Sequence, residues 1–403
     1  MIAFVHPFGL SSVSGGSRIL RSLLQDAPAD YLSVCCSATA PAPTVIGPEV
    51  HIPSRPYLGR IESTRFSKWT CMVDRALSGR FTRRLESLCR EKGVSAIHGL
   101  AHRLQFFSAF CAARNLGLKY FISVHDDLLY SLAGHPDRFR GEKYLRQVWQ
   151  EADGRFVISH AMGEEYCRRY GARRFEVITD GVETIPAKPM ARSPQSLRIY
   201  FMGLFHRSYE PNLRSLLRAV EHFQRVEPGI RVSVRLRCGS LPPSLTSTSR
   251  GVPVEVLPMG SQQDVTRDLA NADLVYLPLP FDADFELFVR FSMSTKMVTY
   301  LGSGLPIVYH GPRVSAAGEL LSTHGAALVA NSLEMNDLIP CLQQAAHNVD
   351  GTVNQALSLC RSQFSLQDQR RQFWDTILNS APARERHAAA VETGELRRPA
   401  VCS

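Results

Sequence analysis

Short apolar runs alternate with amphipathic stretches along the whole chain, and that alternation predicts strand and helix in turn. Ile2–Val5, Tyr31–Cys35, Val45–Ile52, Ala96–His98 and Tyr120–Val124 are short and rich in β-branched or aromatic residues, as buried strands are. Helical spacing appears from Ser17, over Leu104–Leu116, Tyr144–Glu151 and Ala161–Tyr170, and strands at Gly154–Ile158 and Arg174–Thr179 complete a first series. A second series has strands at Leu197–Met202, Arg231–Cys238, Val254–Leu257, Asp273–Pro278, Pro306–His310 and Ala326–Val329. Its helices start at Pro211, Asp264 and Ser294 and run over Leu333–Asn348 and Gly351–Ser362. Pro278–Ser292 between two of these strands reads as a long irregular loop, rich in Phe, Asp and Glu, able to line a pocket.

Between the series lies Glu183–Gln195, with three prolines and little apolar content, the best linker in the chain. Two blocks of alternating strand and helix predict an α/β protein of two doubly wound parallel-sheet domains. The expected division is a first domain at 1–183, a linker at 184–196 and a second domain at 197–363. A helical segment at 364–380 and a disordered tail at 381–403, poor in large apolar residues, follow.

Composition changes this picture little. The chain has 403 residues, enough for two ordinary cores, with 44% hydrophobic and 21% charged residues, the balance of a soluble globular protein. Apolar runs stay far below the ~20 residues that span a bilayer, and MIAFVHPFGL reads as a first strand, not a signal peptide. Ten scattered cysteines, with no Cys-x2-Cys pair, suggest neither zinc nor a thioredoxin-like site and read as reduced thiols of a cytoplasmic protein.

Charge changes it more. A formal +9 favours anionic partners. Ten basic residues and only four acids lie between Arg55 and Lys92, in a stretch expected to form two helices broken near Ser78-Gly79. Trp69, Met72, Leu77, Phe81, Leu85 and Leu88 make an apolar stripe there. It reads either as a core-facing helix with a solvated basic surface or as peripheral attachment to an anionic membrane, such as the inner membrane face. Nucleic acid is not expected, because the basic residues lack interleaved surface aromatics or a recognisable module.

Several strand ends carry candidate chemistry. Ser14-Gly15-Gly16-Ser17 follows the first strand, where two glycines admit either a ligand close to the backbone or a tight turn. The strand Tyr120–Val124 stops at His125-Asp126-Asp127, which places these side chains at the carboxyl edge of a parallel sheet. There a histidine either bonds structurally, shuttles a proton or holds a sugar hydroxyl. Ser294 and Thr295 are good N-caps, and Lys296 opposes the dipole of the helix it opens unless an anion sits there or it points to solvent.

The string Lys296–Val308, KMVTYLGSGLPIV, resembles the S-x-K-x-x-E-Y-L-A-x-G-x-P-V-V segment of GT-B glycosyltransferases of the glycogen-synthase-like branch. The resemblance implies two Rossmann-like domains facing a cleft, with 364–380 crossing back to the first domain and packing there through Phe373 and Trp374. It implies a nucleotide-sugar donor whose diphosphate meets Gly203, Arg207, Ser294, Thr295 and Lys296 and whose base lies near Met259 and Gly260. The family's ribose-binding Glu falls at Thr299 and its partner acid at Phe291, so the Glu pair is absent as such; Glu286, Asp284 or Asp282 are the acids nearby. His125 and Asp126 fall beside the transferred sugar, and Gly15, Gly16 and Glu286 at the cleft. No metal and no cofactor are implied, Asp282-Ala-Asp284 being read as a chance match to a metal motif. The implied activity is transfer of a sugar, with retention, to a glycan, glycolipid or small molecule. A nucleotide-sugar epimerase of the same fold or a non-catalytic GT-B subunit are the alternatives.

Overall fold

The computed structural model describes residues 1–380 apart from 45, 65, 67–68, 192–193, 243–244 and 246–250. The expected tail at 381–403 lies outside the described residues. The chain divides into two compact units, Met1–Thr179 together with residues from Gln369 onward, and Asp180–Asp368.

The first unit holds a seven-stranded sheet: β1 (Ile2–His6), β2 (Tyr31–Cys35), β3 (Glu49–His51), β4 (Ala96–Leu100), β5 (Lys119–Val124), β6 (Gly154–Val157) and β7 (Glu176–Val177). The order is β3-β2-β1-β4-β5-β6-β7, every pair parallel. β1 and β4 are buried on both faces, as strands covered by helices on either side must be. One of those covers is the helix Leu366–Leu378. Its Phe373 packs against Phe4, His98 and Phe156, and Trp374 donates from its indole to the Leu23 carbonyl at 2.9 Å.

The second unit repeats the plan with six parallel strands: β8 (Ser196–Met202), β9 (Arg231–Arg237), β10 (Val254–Leu257), β11 (Leu274–Pro278), β12 (Ile307–His310) and β13 (Leu328–Ala330). Their order is β10-β9-β8-β11-β12-β13. The proline-rich stretch is held on this unit, Met190 donating to the Gly304 carbonyl at 2.9 Å and Val182 to that of Phe364 at 2.8 Å. Buried Asn212 ties two strand ends by donating to the carbonyls of Leu279 and His310, each at 2.9 Å. In each unit the direction of winding reverses beside the first strand, between β1 and β4 and between β8 and β11. Open α/β sheets bind ligands at the carboxyl edge beside such a switch point.

Several expectations are corrected. The basic stretch forms one unbroken helix, Thr70–Glu91, because a Cβ at Gly79 would meet nothing closer than 3.9 Å and a mid-helix glycine costs only ~1 kcal/mol. Trp69 and Met72 do not join its core stripe; they are 62% and 54% exposed. Pro278–Ser292 is not irregular throughout: it contains a 3-10 turn at Ala283–Phe285 and a helix at Glu286–Phe291. The strand expected at Val45–Ile52 is three residues long, the one at Arg174–Thr179 only two, and a helix at Ala316–Thr323 went unforeseen.

Candidate active site

In the second unit the site grows from the end of β8. Gly203 follows it with φ 91, a conformation that favours glycine, and a Cβ there would lie 2.8 Å from Lys296 Cε. The Lys296 stem therefore crosses directly over the Gly203 backbone. The β8 end is held by Tyr300, whose hydroxyl accepts from the Met202 amide at 3.0 Å. Lys296 lies in the first turn of the helix Thr295–Leu301, and its amide donates to the Ser294 hydroxyl at 3.3 Å. Its Nζ sits 5.5 Å from the ring centre of Phe201 and 5.4 Å from that of Tyr209. Burial pulls its pKa down to about 8. Among the described residues no carboxylate lies in ion-pair reach of it. Two ring faces replace part of the lost hydration, but they do not neutralise the charge. Its charge is left without a carboxylate partner among the described residues.

Arg207 stands exposed on the 3-10 turn Arg207–Tyr209, the turn that also supplies the Tyr209 ring. Sequence reasoning passed over its neighbour His206, whose ring packs edge-on against Tyr209 and whose pKa is lowered by burial and then by the Lys296 ammonium.

The turn after β10 is braced from within. Arg237 ion-pairs with buried Asp268, which also accepts from Tyr200 at 3.0 Å, and Arg237 Nη1 donates to the Pro258 carbonyl at 3.1 Å. Met259 and Gly260 ride exposed on this strut. Thr299 is buried and donates to the Thr295 carbonyl at 3.2 Å. Phe291 is a core side chain at 2% exposure, and Glu286 is exposed and paired with Arg290 at 3.5 Å. Asp282 caps the 3-10 turn, accepting from the Asp284 amide at 2.9 Å. No group of three or more potential metal ligands exists among the described residues.

In the first unit Gly15 and Gly16 open the helix Gly15–Leu24, capped by the Ser14 hydroxyl, which accepts from the Ser17 amide. A Cβ on Gly16 would fall 3.3 Å from His125 Nδ1 and 3.1 Å from the Phe8 ring. The glycine loop and His125 are thus brought together. His125 Nδ1 is buried without a hydrogen-bond partner. Burial, then nearby His102, hold the imidazole pKa at about 4, so the ring is neutral near pH 7. It is suited to hydrogen bonding more than to carrying a proton. Asp127 divides from its neighbours: it caps the helix Leu128–Ser131 and pairs with Arg169 at 2.9 Å, a structural role. Asp126 is half-buried, and its charge acts on His102, which sequence reasoning also missed.

Residues 33–185 match the model of Glycosyltransferase Family 4. A search by sequence against curated proteins finds no match. Among solved structures, the chain is similar to Anabaena HepE, crystallised in complex with UDP and glucose, with a TM-score of 0.64 and 12% identity over 93% of this chain and 98% of that one. It is similar to a UDP-forming trehalose-phosphate synthase from Burkholderia xenovorans, at 0.63 and 14% over 94% and 99%. A Listeria monocytogenes protein assigned as a UDP-N-acetylglucosamine 2-epimerase matches at 0.58 and 11% over 99% and 98%. The two parallel sheets and these likenesses agree with the resemblance carried by Lys296–Val308. In fold the chain is of the GT-B type, and its residues 33–185 match a glycosyltransferase family model.

Proposed function

We propose that the protein is a glycosyltransferase that moves a sugar from a nucleotide-diphosphate sugar to a glycan, glycolipid or small-molecule acceptor, with retention and without a metal ion. The observation that carries this reading is Lys296, a half-buried ammonium crossing Gly203 with no carboxylate in reach among the described residues. It would hold the diphosphate and stabilise the charge that grows on it as the sugar leaves, a preorganised cation in place of a metal. Arg207 would add a second cation, able to bind phosphate bidentately. The hydroxyls and amides of Ser294 and Thr295 would add donors; their helix has only seven residues, so its dipole counts for less than Lys296. Met259 and Gly260 are proposed for the base, Thr299 for the ribose and Glu286 for the mouth of the site. His125, beside Gly15 and Gly16, is proposed to hydrogen-bond a hydroxyl of the transferred sugar, with Asp126 alongside. The nucleotide bound to HepE supports a nucleotide-sugar donor here.

The Listeria likeness supports one second reading, an epimerase acting on the same donor. Incubation with a panel of nucleotide sugars separates the two. A transferase is expected to release nucleoside diphosphate in proportion to acceptor and to leave the sugar's configuration unchanged in unreacted donor. Epimerised donor appearing without acceptor would overturn the transferase reading, and failure of every nucleotide sugar to raise the melting temperature would overturn both.

A further inference from the structure

Arg55 and Asp74 are buried or half-buried and form an ion pair at 3.5 Å; the Ser54 hydroxyl donates to the same Asp74 oxygen, and Gln105 donates to Ser54. These bonds tie Ser54 and Arg55 to Asp74 across the intervening stretch, which holds the 3-10 turn Gly59–Ser63 and the first turn of the helix Thr70–Glu91. This stretch exposes Tyr57 (59%), Ile61 (48%), Phe66 (51%), Trp69 (62%) and Met72 (54%). Five large apolar side chains exposed within sixteen consecutive residues, 57–72, exceed the single scattered ones of an ordinary surface. The sequence gives the stretch three basic residues, Arg60, Arg65 and Lys68, against the single acid Glu62.

The helix Thr70–Glu91 continues the exposed series. Met72, Ala76, Arg80, Arg83 and Arg84 are its exposed positions at helical spacing, and Arg90 extends them. Two of its three acids are taken up within the unit: Asp74 is bound to Arg55, and buried Glu86 accepts from Asn115 at 2.8 Å; the third, Glu91, is exposed at the far end and pairs with Lys92 at 2.9 Å. Exposed apolar residues and the exposed basic positions of the helix thus follow one another along the chain.

We propose that this stretch and helix face form an interfacial docking site for an anionic lipid bilayer, with Tyr57, Ile61, Phe66, Trp69 and Met72 entering the headgroup region and the arginines pairing with lipid phosphates. A second copy of the chain fits the surface less well, because an isologous contact would set one arginine face against another. The proposal stands apart from the transferase reading and survives its failure.

The chain carries its own probe. Of its three tryptophans, Trp149 and Trp374 are buried, so a change in emission on lipid reports Trp69. The full chain is mixed with vesicles of phosphatidylcholine alone and of phosphatidylcholine with an equal share of phosphatidylglycerol. On the anionic vesicles the emission is expected to shift to the blue and resist iodide quenching, with reversal at high salt. Phe66→Ser, which keeps the reporter, is expected to weaken partitioning about tenfold. Arg83→Glu/Arg84→Glu is expected to weaken it at least about fivefold per position. Both alter exposed positions, and unchanged melting temperatures show that they fold. The proposal is overturned by an unshifted spectrum, by equal binding to both vesicle types, or by a blue shift without lipid that grows with protein concentration and marks self-association.

Discussion

Lys296→Met is expected to weaken nucleotide-sugar binding by about 30-fold or more while leaving the free protein as stable as before, or slightly more so. Removing one member of a buried charge pair costs about 2–5 kcal/mol. In the free protein no carboxylate among the described residues pairs with Lys296, and its Nζ lies over the faces of Phe201 and Tyr209. Taking away a half-buried ammonium that has no carboxylate removes part of a desolvation cost, and methionine fills nearly the same volume. A lysine that served the fold would behave in the opposite way, the variant melting earlier and binding normally. Calorimetric titration with the nucleotide sugar that the wild type accepts, beside thermal melts of the free chains, separates the two.

His125→Ala is expected to slow sugar transfer by about 100-fold while nucleotide affinity holds, the size of effect that follows loss of one oriented hydrogen-bonding group at a reacting centre. The ring is well placed for such a part because its Nδ1 is buried and lacks a partner, which a structural histidine rarely tolerates. Its neighbour His98 shows the contrast, bonded through Nε2 to Ser123 at 2.7 Å. With its pKa held at about 4, His125 stays neutral from about pH 5.5 upward, so the wild-type rate is not expected to fall there through protonation of this ring. Equal losses of rate and of nucleotide binding in the variant would assign it to the unit's stability instead.

Both sheets were legible because period-two runs and helical runs alternate without interruption through each series, and parallel strands buried on both faces announce themselves as unbroken apolar runs. Lys296 and Gly203 were legible for a different reason, a family string and a glycine directly after a strand. What escaped depends on contacts distant in sequence. Nothing local says that Arg55 is spent on Asp74. The outward face of Trp69 was legible and was missed: at about 100° per residue it falls about 120° away from Phe81, off the core stripe. The helix Glu286–Phe291 is six residues long, too short for periodicity to separate it from a loop. His206 was hidden by Arg207, since the more strongly charged residue draws attention where phosphate binding is expected, while proximity to Lys296 is a matter of packing.

The central claim is that an ammonium kept partly out of water at Lys296 waits for a diphosphate, and the pH dependence of binding tests it most directly. Folding lowers this pKa from 10.5 to about 8, so above about pH 8 the free site loses its charge, and a diphosphate must bring a proton back with it. Nucleotide-sugar affinity, measured from about pH 7 to about pH 9.5 for the wild type and for Lys296→Met, gives a ratio from which titration of the base cancels. That ratio is expected to be constant below about pH 8 and then to fall by up to about tenfold per pH unit. A ratio that stays flat across the whole range, or a variant that binds as tightly as the wild type, would contradict it.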